Sequence, residues 1–82
     1  DVTAWKRGEL VFRQMTISDI ITVLERRFDV TFVYRLHDFS TDRYSFRFRE
    51  DASLEEVMEV ITDVTGILKF RIEDDKCRIT RK

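Results

Sequence analysis

Two hydrophobic periods alternate along this chain, and the places where one gives way to the other divide it into elements. In Glu9–Arg13, Leu10 and Phe12 share one face and Val11 takes the other, the period-two signature of a short strand. The next apolar residues, Ile17, Ile20, Ile21, Leu24 and Phe28, recur at helical spacing as one stripe, with Asp19, Glu25, Arg26 and Arg27 facing water. Thr16 and Asp19 form a Thr-x-x-Asp capping pattern at the start of this helix, and Asp29 ends it. Val30–Tyr34 returns to period two, with Val30, Phe32 and Tyr34 on one face and Thr31 and Val33 on the other. Arg35–Arg43 is irregular, with Ser40, Thr41 and Asp42 as turn formers. Tyr44–Arg49 is the cleanest strand: Tyr44, Phe46 and Phe48 alternate with Ser45, Arg47 and Arg49.

The same order of patterns then repeats. Ser53 and Glu56 make a Ser-x-x-Glu capping box, and Leu54, Val57, Met58, Ile61 and Val64 or Thr65 form the second helical stripe. Gly66 stands where a helix ends in a left-handed residue. Ile67–Glu73 is a strand with Leu68, Phe70 and Ile72 inward; Asp74, Asp75 and Lys76 turn the chain, and Cys77–Arg81 returns as a hairpin partner with Cys77 and Ile79 inward. A shift of 37 residues maps Ile17 onto Leu54, Ile20 onto Val57, Ile21 onto Met58 and Leu24 onto Ile61. The expected fold is α+β: duplicated β-α-β units plus a final strand, with two helices packed against two small mixed sheets. A helix between strands predicts a right-handed parallel crossover within each half. Both stripes are broad enough that strands on two sides are needed to cover them.

Size and charge narrow the classes. The chain of 82 residues reads as one domain, 1–82, in which residues 1–7 are a lead-in that lays Trp5 over the domain edge. It is 43% hydrophobic and 38% charged, with no proline and two glycines, so it folds and holds no flexible linker. A domain this small buries a modest share of its surface, so it is expected to be marginally stable or supported by neighbours. The net charge of −1, with both signs interspersed, lacks the basic excess of a nucleic-acid surface. No apolar run approaches the ~20 residues of a membrane span. The chain begins at Asp1 without an initiator methionine, so it reads as a domain excised from a longer protein.

No set of residues declares a chemistry. His37 is the sole histidine and lacks a nucleophile or further ligands at a recognised spacing, although Asp38 and Asp42 are near; it reads as an exposed loop residue. Cys77, also alone, excludes an internal disulfide and reads as a buried structural cysteine. Glu50, Asp51, Glu55 and Glu56 gather where the second helix begins, which its dipole accounts for. Arg47, Arg49, Lys69, Arg71 and Arg78 lie on outward strand faces and form a basic stripe if those strands are neighbours: a solvated face, or a docking surface for an acidic protein patch. Tyr34, Phe39 and Tyr44 flank the irregular stretch, either closing the core or anchoring an interface. The candidate protein-binding residues are therefore Tyr34, Phe39, Tyr44, Arg47, Arg49, Lys69 and Arg71, with no catalytic, cofactor or metal residues.

The segments WKRGELVF (Trp5–Phe12), LERRFDV (Leu24–Val30), ASLEEVMEVI (Ala52–Ile61) and TGILKFRIEDDKCRIT (Thr65–Thr80), in that order, resemble the C-terminal domain of FecR-type anti-sigma factors of Bacteroidetes. In that family two aromatics often follow Leu-Glu-Arg; here Arg27 and Phe28 hold those positions. The resemblance implies a non-catalytic interaction domain on the periplasmic side of an inner-membrane protein, whose membrane helix and cytoplasmic sigma-binding segment lie outside this chain. It implies as partners the signalling domain of a TonB-dependent outer-membrane receptor and the other domains of the same anti-sigma factor, with control of an extracytoplasmic-function sigma factor and of nutrient or iron uptake as the outcome. No nucleic acid, small-molecule substrate or cofactor is implied. The fold is also similar to the short N-terminal domain of secretins and TonB receptors, in which two helices lie between two small sheets. The alternative reading is a structural envelope module of the secretin type that stacks on copies of itself.

Overall fold

The computed structural model describes residues 8–82. The reading that lays Trp5 over the domain edge falls outside them. In chain order the elements are β1 (Leu10–Met15), α1 (Ile17–Phe28), β2 (Thr31–Val33), a single 3₁₀ turn (Leu36–Asp38), β3 (Tyr44–Phe48), α2 (Leu54–Thr65), β4 (Leu68–Glu73) and β5 (Lys76–Arg81). The expected α+β architecture is present: two helices with a two-stranded and a three-stranded sheet.

The capping residues set the helix ends as their chemistry requires. Thr16 Oγ1 accepts from the Asp19 N–H at 3.3 Å. The reciprocal Asp19 bond is not part of this cap, and the hydroxyl instead lies 3.3 Å from Ser18 Oγ. At α2 the box is complete: Glu56 N–H donates to Ser53 Oγ at 3.1 Å, and Ser53 N–H donates to Glu56 Oε1 at 2.8 Å. Gly66 closes α2 at φ 75°, and a Cβ there would meet nothing within 4 Å, so glycine serves the backbone conformation alone. Asp29 closes α1 in the same left-handed region, φ 52°, without glycine's freedom.

Strand pairing departs from the simple crossover. β1 pairs antiparallel with β3, while β2 lies in the other sheet, parallel to β5, which pairs antiparallel with β4. Each helix therefore joins strands of different sheets, and the expected parallel pair within each half does not form. The breadth of the apolar stripes explains this: α1 packs on β1 and β2, one from each sheet. The single core draws Leu10, Phe12 and Phe48 from one sheet, Phe32, Leu68, Cys77 and Ile79 from the other, and Ile20, Leu24, Val57, Met58 and Ile61 from the helices between. A fully buried aliphatic or aromatic side chain contributes about 1.5–3 kcal/mol relative to exposure.

Three local differences follow from position. β1 runs two residues past its expected end through a bulge: Phe12 pairs with Phe46 and Met15 with Tyr44, one residue longer on the β1 side, and Gln14 takes φ 51°. The bulge shifts the alternation, so Met15 packs on the core and Gln14 stays exposed, its N–H donating to Ser45 Oγ at 3.0 Å. Ile72, expected inward, is 38% exposed because it lies one residue from the turn on an edge strand. On α2 Val64 is exposed, Thr65 is half-buried, and the stripe is completed by buried Thr62, whose hydroxyl donates to the Met58 carbonyl at 2.8 Å.

Candidate functional site

The Leu24–Val30 segment is a fastening device. Leu24 is buried in the core, and the Glu25 side chain leaves the helix to accept the Phe32 N–H at 2.9 Å, tying β2 to α1. Arg27 NH2 donates to the carbonyls of Gly8 and Glu50 at 3.0 and 3.3 Å. Leu10 pairs with Phe48, so those two carbonyls lie just beyond the same end of the β1–β3 ladder, and one guanidinium holds both strands. The sequence reading placed Glu25 and Arg27 as water-facing; the missed signal is a charged pair directly before a helix end and a strand.

The aromatic candidates separate into two groups. Tyr34 stacks on Phe39 with ring centroids 5.1 Å apart and planes at 20°. Phe39 packs on the core while Tyr34 remains exposed. Tyr44 belongs elsewhere: it stacks on Phe46 at 6.0 Å, Phe46 stacks on Phe48 at 5.9 Å, and Phe48 meets Phe12 edge-on at 6.4 Å. These offsets suit aromatic quadrupoles, and the rings line the inner face of the two-stranded sheet.

The basic candidates separate as well. Arg47 lies on β3 and Arg49 just after it, whereas Lys69, Arg71 and Arg78 lie in the other sheet, so the condition for one continuous stripe is not met. Most of these charges are locally matched: Arg47 with Glu9 at 3.6 Å, Arg49 with Asp51 at 3.4 Å, Arg71 and Arg78 with Glu73 at 3.3 and 3.9 Å. Such exposed pairs contribute little stability, about 0–1 kcal/mol each, and each places an acidic group beside a basic candidate.

Two shallow grooves among the described residues bear on these candidates. One, about 320 Å³, runs between Arg47–Arg49 and the start of α2, reaching Ala52, Glu56 and Val60. The other, about 480 Å³, lies where β2 leaves β5, between Val33–Arg35 and Arg78–Arg81, with Asp38 at its end. Arg35 and Arg81, absent from the candidates drawn from sequence, line this second groove beside Tyr34. The remaining polar groups do not assemble a reaction centre among the described residues. His37 is exposed, with its Nε2 3.8 Å from Asp38 Oδ1. Cys77 is fully buried, and desolvation pushes its thiol up to about 11, leaving it protonated at neutral pH. No group of three potential metal ligands occurs, and no helix is long and apolar enough to cross a membrane, among the described residues.

Residues 9–79 match the family described as "FecR, C-terminal". Two crystal structures of a candidate anti-sigma factor from Parabacteroides distasonis ATCC 8503, at 1.65 and 2.50 Å resolution, have the same fold, with TM-scores of 0.79 and 0.78 and 31% identity. The alignment covers 99% of this chain and 37% of those proteins, so the chain spans little more than a third of their length. No curated protein is detectably similar in sequence.

Proposed function

Because this chain belongs to the FecR C-terminal family, a regulatory family of anti-sigma factors, we propose that it is the receiving domain of a transmembrane anti-sigma factor. In this reading the domain sits in the periplasm and recognises the signalling domain of a TonB-dependent outer-membrane receptor. Recognition there releases an extracytoplasmic-function sigma factor on the other side of the inner membrane and switches on nutrient-uptake genes. The family match across residues 9–79 carries the reading.

Its mechanism is recognition without bond chemistry. Among the described residues several strand edges are open: β1 and β3 each have one, as do β2 and β4. Exposed Tyr34, with Phe39 behind it, supplies an aromatic anchor of the kind that dominates interface energetics. Of the basic candidates, Lys69 and Arg71 border the β4 edge, while Arg47 and Arg49 border the smaller groove. Calorimetric titration of the domain with the signalling domain of a TonB-dependent receptor from the same organism tests the reading. Micromolar binding is expected, and no heat at several hundred micromolar would sink it.

A further inference from the structure

The larger groove is a gap in a β-ladder. β5 is paired along its whole length with β4, from Lys76 opposite Glu73 to Arg81 opposite Leu68. On its other side β2 pairs only with Lys76–Arg78, and the chain then turns away into the 3₁₀ turn. Lys82 donates its N–H to Ile67, beyond the β4 end of that ladder. Strand alternation therefore turns the backbone groups of Cys77, Ile79 and Arg81 to the β2 side; Cys77 lies within the β2 pairing, so Ile79 and Arg81 are the residues that reach past it. Past Val33 the line that β2 would continue holds no strand among the described residues, and the groove of about 480 Å³ lies there.

The walls define an occupant. Ile79 is buried and sits on the core side, while Arg78 and Thr80 are exposed on the other side. An extended segment added here places alternate side chains along the face that Ile79 shares with Arg81 and along the face of Arg78 and Thr80. Three basic residues, Arg35, Arg78 and Arg81, line the groove together with one acidic residue, Asp38. Arg78 is already shared with Glu73, but Arg35 and Arg81 have no carboxylate within 4.0 Å among the described residues. We propose that this gap receives an extended, acidic strand of a protein partner, hydrogen-bonded to β5 in the line vacated by β2 and held by Arg35 and Arg81, with Tyr34 packing on it. This rests on the reading of the domain as a receiver of protein signals and names the chemistry it receives.

The test uses the 82-residue chain, labelled with ¹⁵N, and capped hexapeptides of alternating glutamate and valine or alternating lysine and valine. With the acidic peptide, amide shifts are expected at Tyr34–Arg35 and Ile79–Arg81. They should weaken as salt rises, and the lysine peptide should produce none. The R35E/R81E double variant should bind about tenfold or more weakly, while R13E, exposed on β1 of the other sheet, binds as wild type. Shifts confined to β1 and β3, equal binding of the lysine peptide, or unchanged affinity in R35E/R81E would overturn the proposal. So would a truncation to residues 8–82 that itself shifts the groove amides, since the chain's own first residues would then be the occupant. Concentration-dependent dimerisation that shifts the same amides would assign the gap to a second copy. A receptor signalling domain that binds R35E/R81E as tightly as wild type defeats the gap but leaves the receiver role standing. Binding of the acidic peptide in the gap without any receptor binding does the reverse.

Discussion

The two halves of the molecule begin their helices alike and finish them differently. α1 and α2 are each 12 residues long, each starts at a hydroxyl cap, and each buries one stripe in the same core. α2 is secured locally, by a reciprocal capping box four residues wide and a glycine end. α1 has half of that box and a left-handed aspartate, and its security comes from distant groups, Glu25 to Phe32 and Arg27 to Gly8 and Glu50. The same supersecondary pattern is thus held once by residues near in sequence and once by residues that only folding brings near. The second kind ties the order of α1 to both sheets, so the first half is the part of the domain whose local stability depends on the whole.

The largest effect should be blind to this difference. Leu24 and Ile61 occupy equivalent core positions at 0% and 2% exposure, so Leu24→Ala and Ile61→Ala should each cost about 2–5 kcal/mol in urea unfolding. A much smaller loss at one of them would mean that the halves do not share one core. Next comes the seam. β5 lies between β2 of the first half and β4 of the second, and Cys77 is buried on it. Its folded thiol is raised from 9.0 to about 11, so the stability it reports is intact below pH 9.0 and is lost as pH climbs through 11. The loss across that window is on the order of 2 kcal/mol. It should be absent in Cys77→Ala, and native-state alkylation at pH 8 should be slow; fast alkylation would show that the halves part at this seam.

The tethers give the third effect. Glu25→Ala leaves the Phe32 N–H without its acceptor and should cost about 1–3 kcal/mol, whereas Glu56→Ala removes a surface cap bond worth about 0.5–1 kcal/mol. Hydrogen exchange sharpens the contrast: Glu25→Ala should speed exchange in both α1 and β2, and Glu56→Ala only in the first turn of α2. The smallest effects are at the helix ends. Asp29→Gly should stabilise by a few tenths to about 1 kcal/mol, and Gly66→Ala should destabilise by about 1 kcal/mol, because both positions are left-handed. Equal signs would refute the conformational account.

Local chemistry was legible from the residues themselves. Thr16, Ser53 and Gly66 mark helix ends because capping depends on neighbours three or four residues away. The stripes at Ile17–Leu24 and Val57–Ile61 mark buried faces because side-chain direction follows from helical period alone. The likeness of LERRFDV to a family segment was visible too, and the structure gives its residues jobs: burial, tether, clamp and turn. The candidate surface was read only in pieces. Tyr34 and Phe39 do meet, but Tyr44 joins the Phe46–Phe48 ladder, and Arg47 and Arg49 part from Lys69 and Arg71.

Sequence by itself therefore determined which segments are helix or strand, which of their faces are apolar, and to which family the pattern is similar. Tertiary structure alone decided that β1 joins β3, that β2 abandons β5 after three residues, and that Arg35, Arg78 and Arg81 face one gap. The physical reason is that strand period specifies a face and never a neighbour. Backbone hydrogen bonds are alike for every residue, so the choice of partner falls to the packing of the whole core.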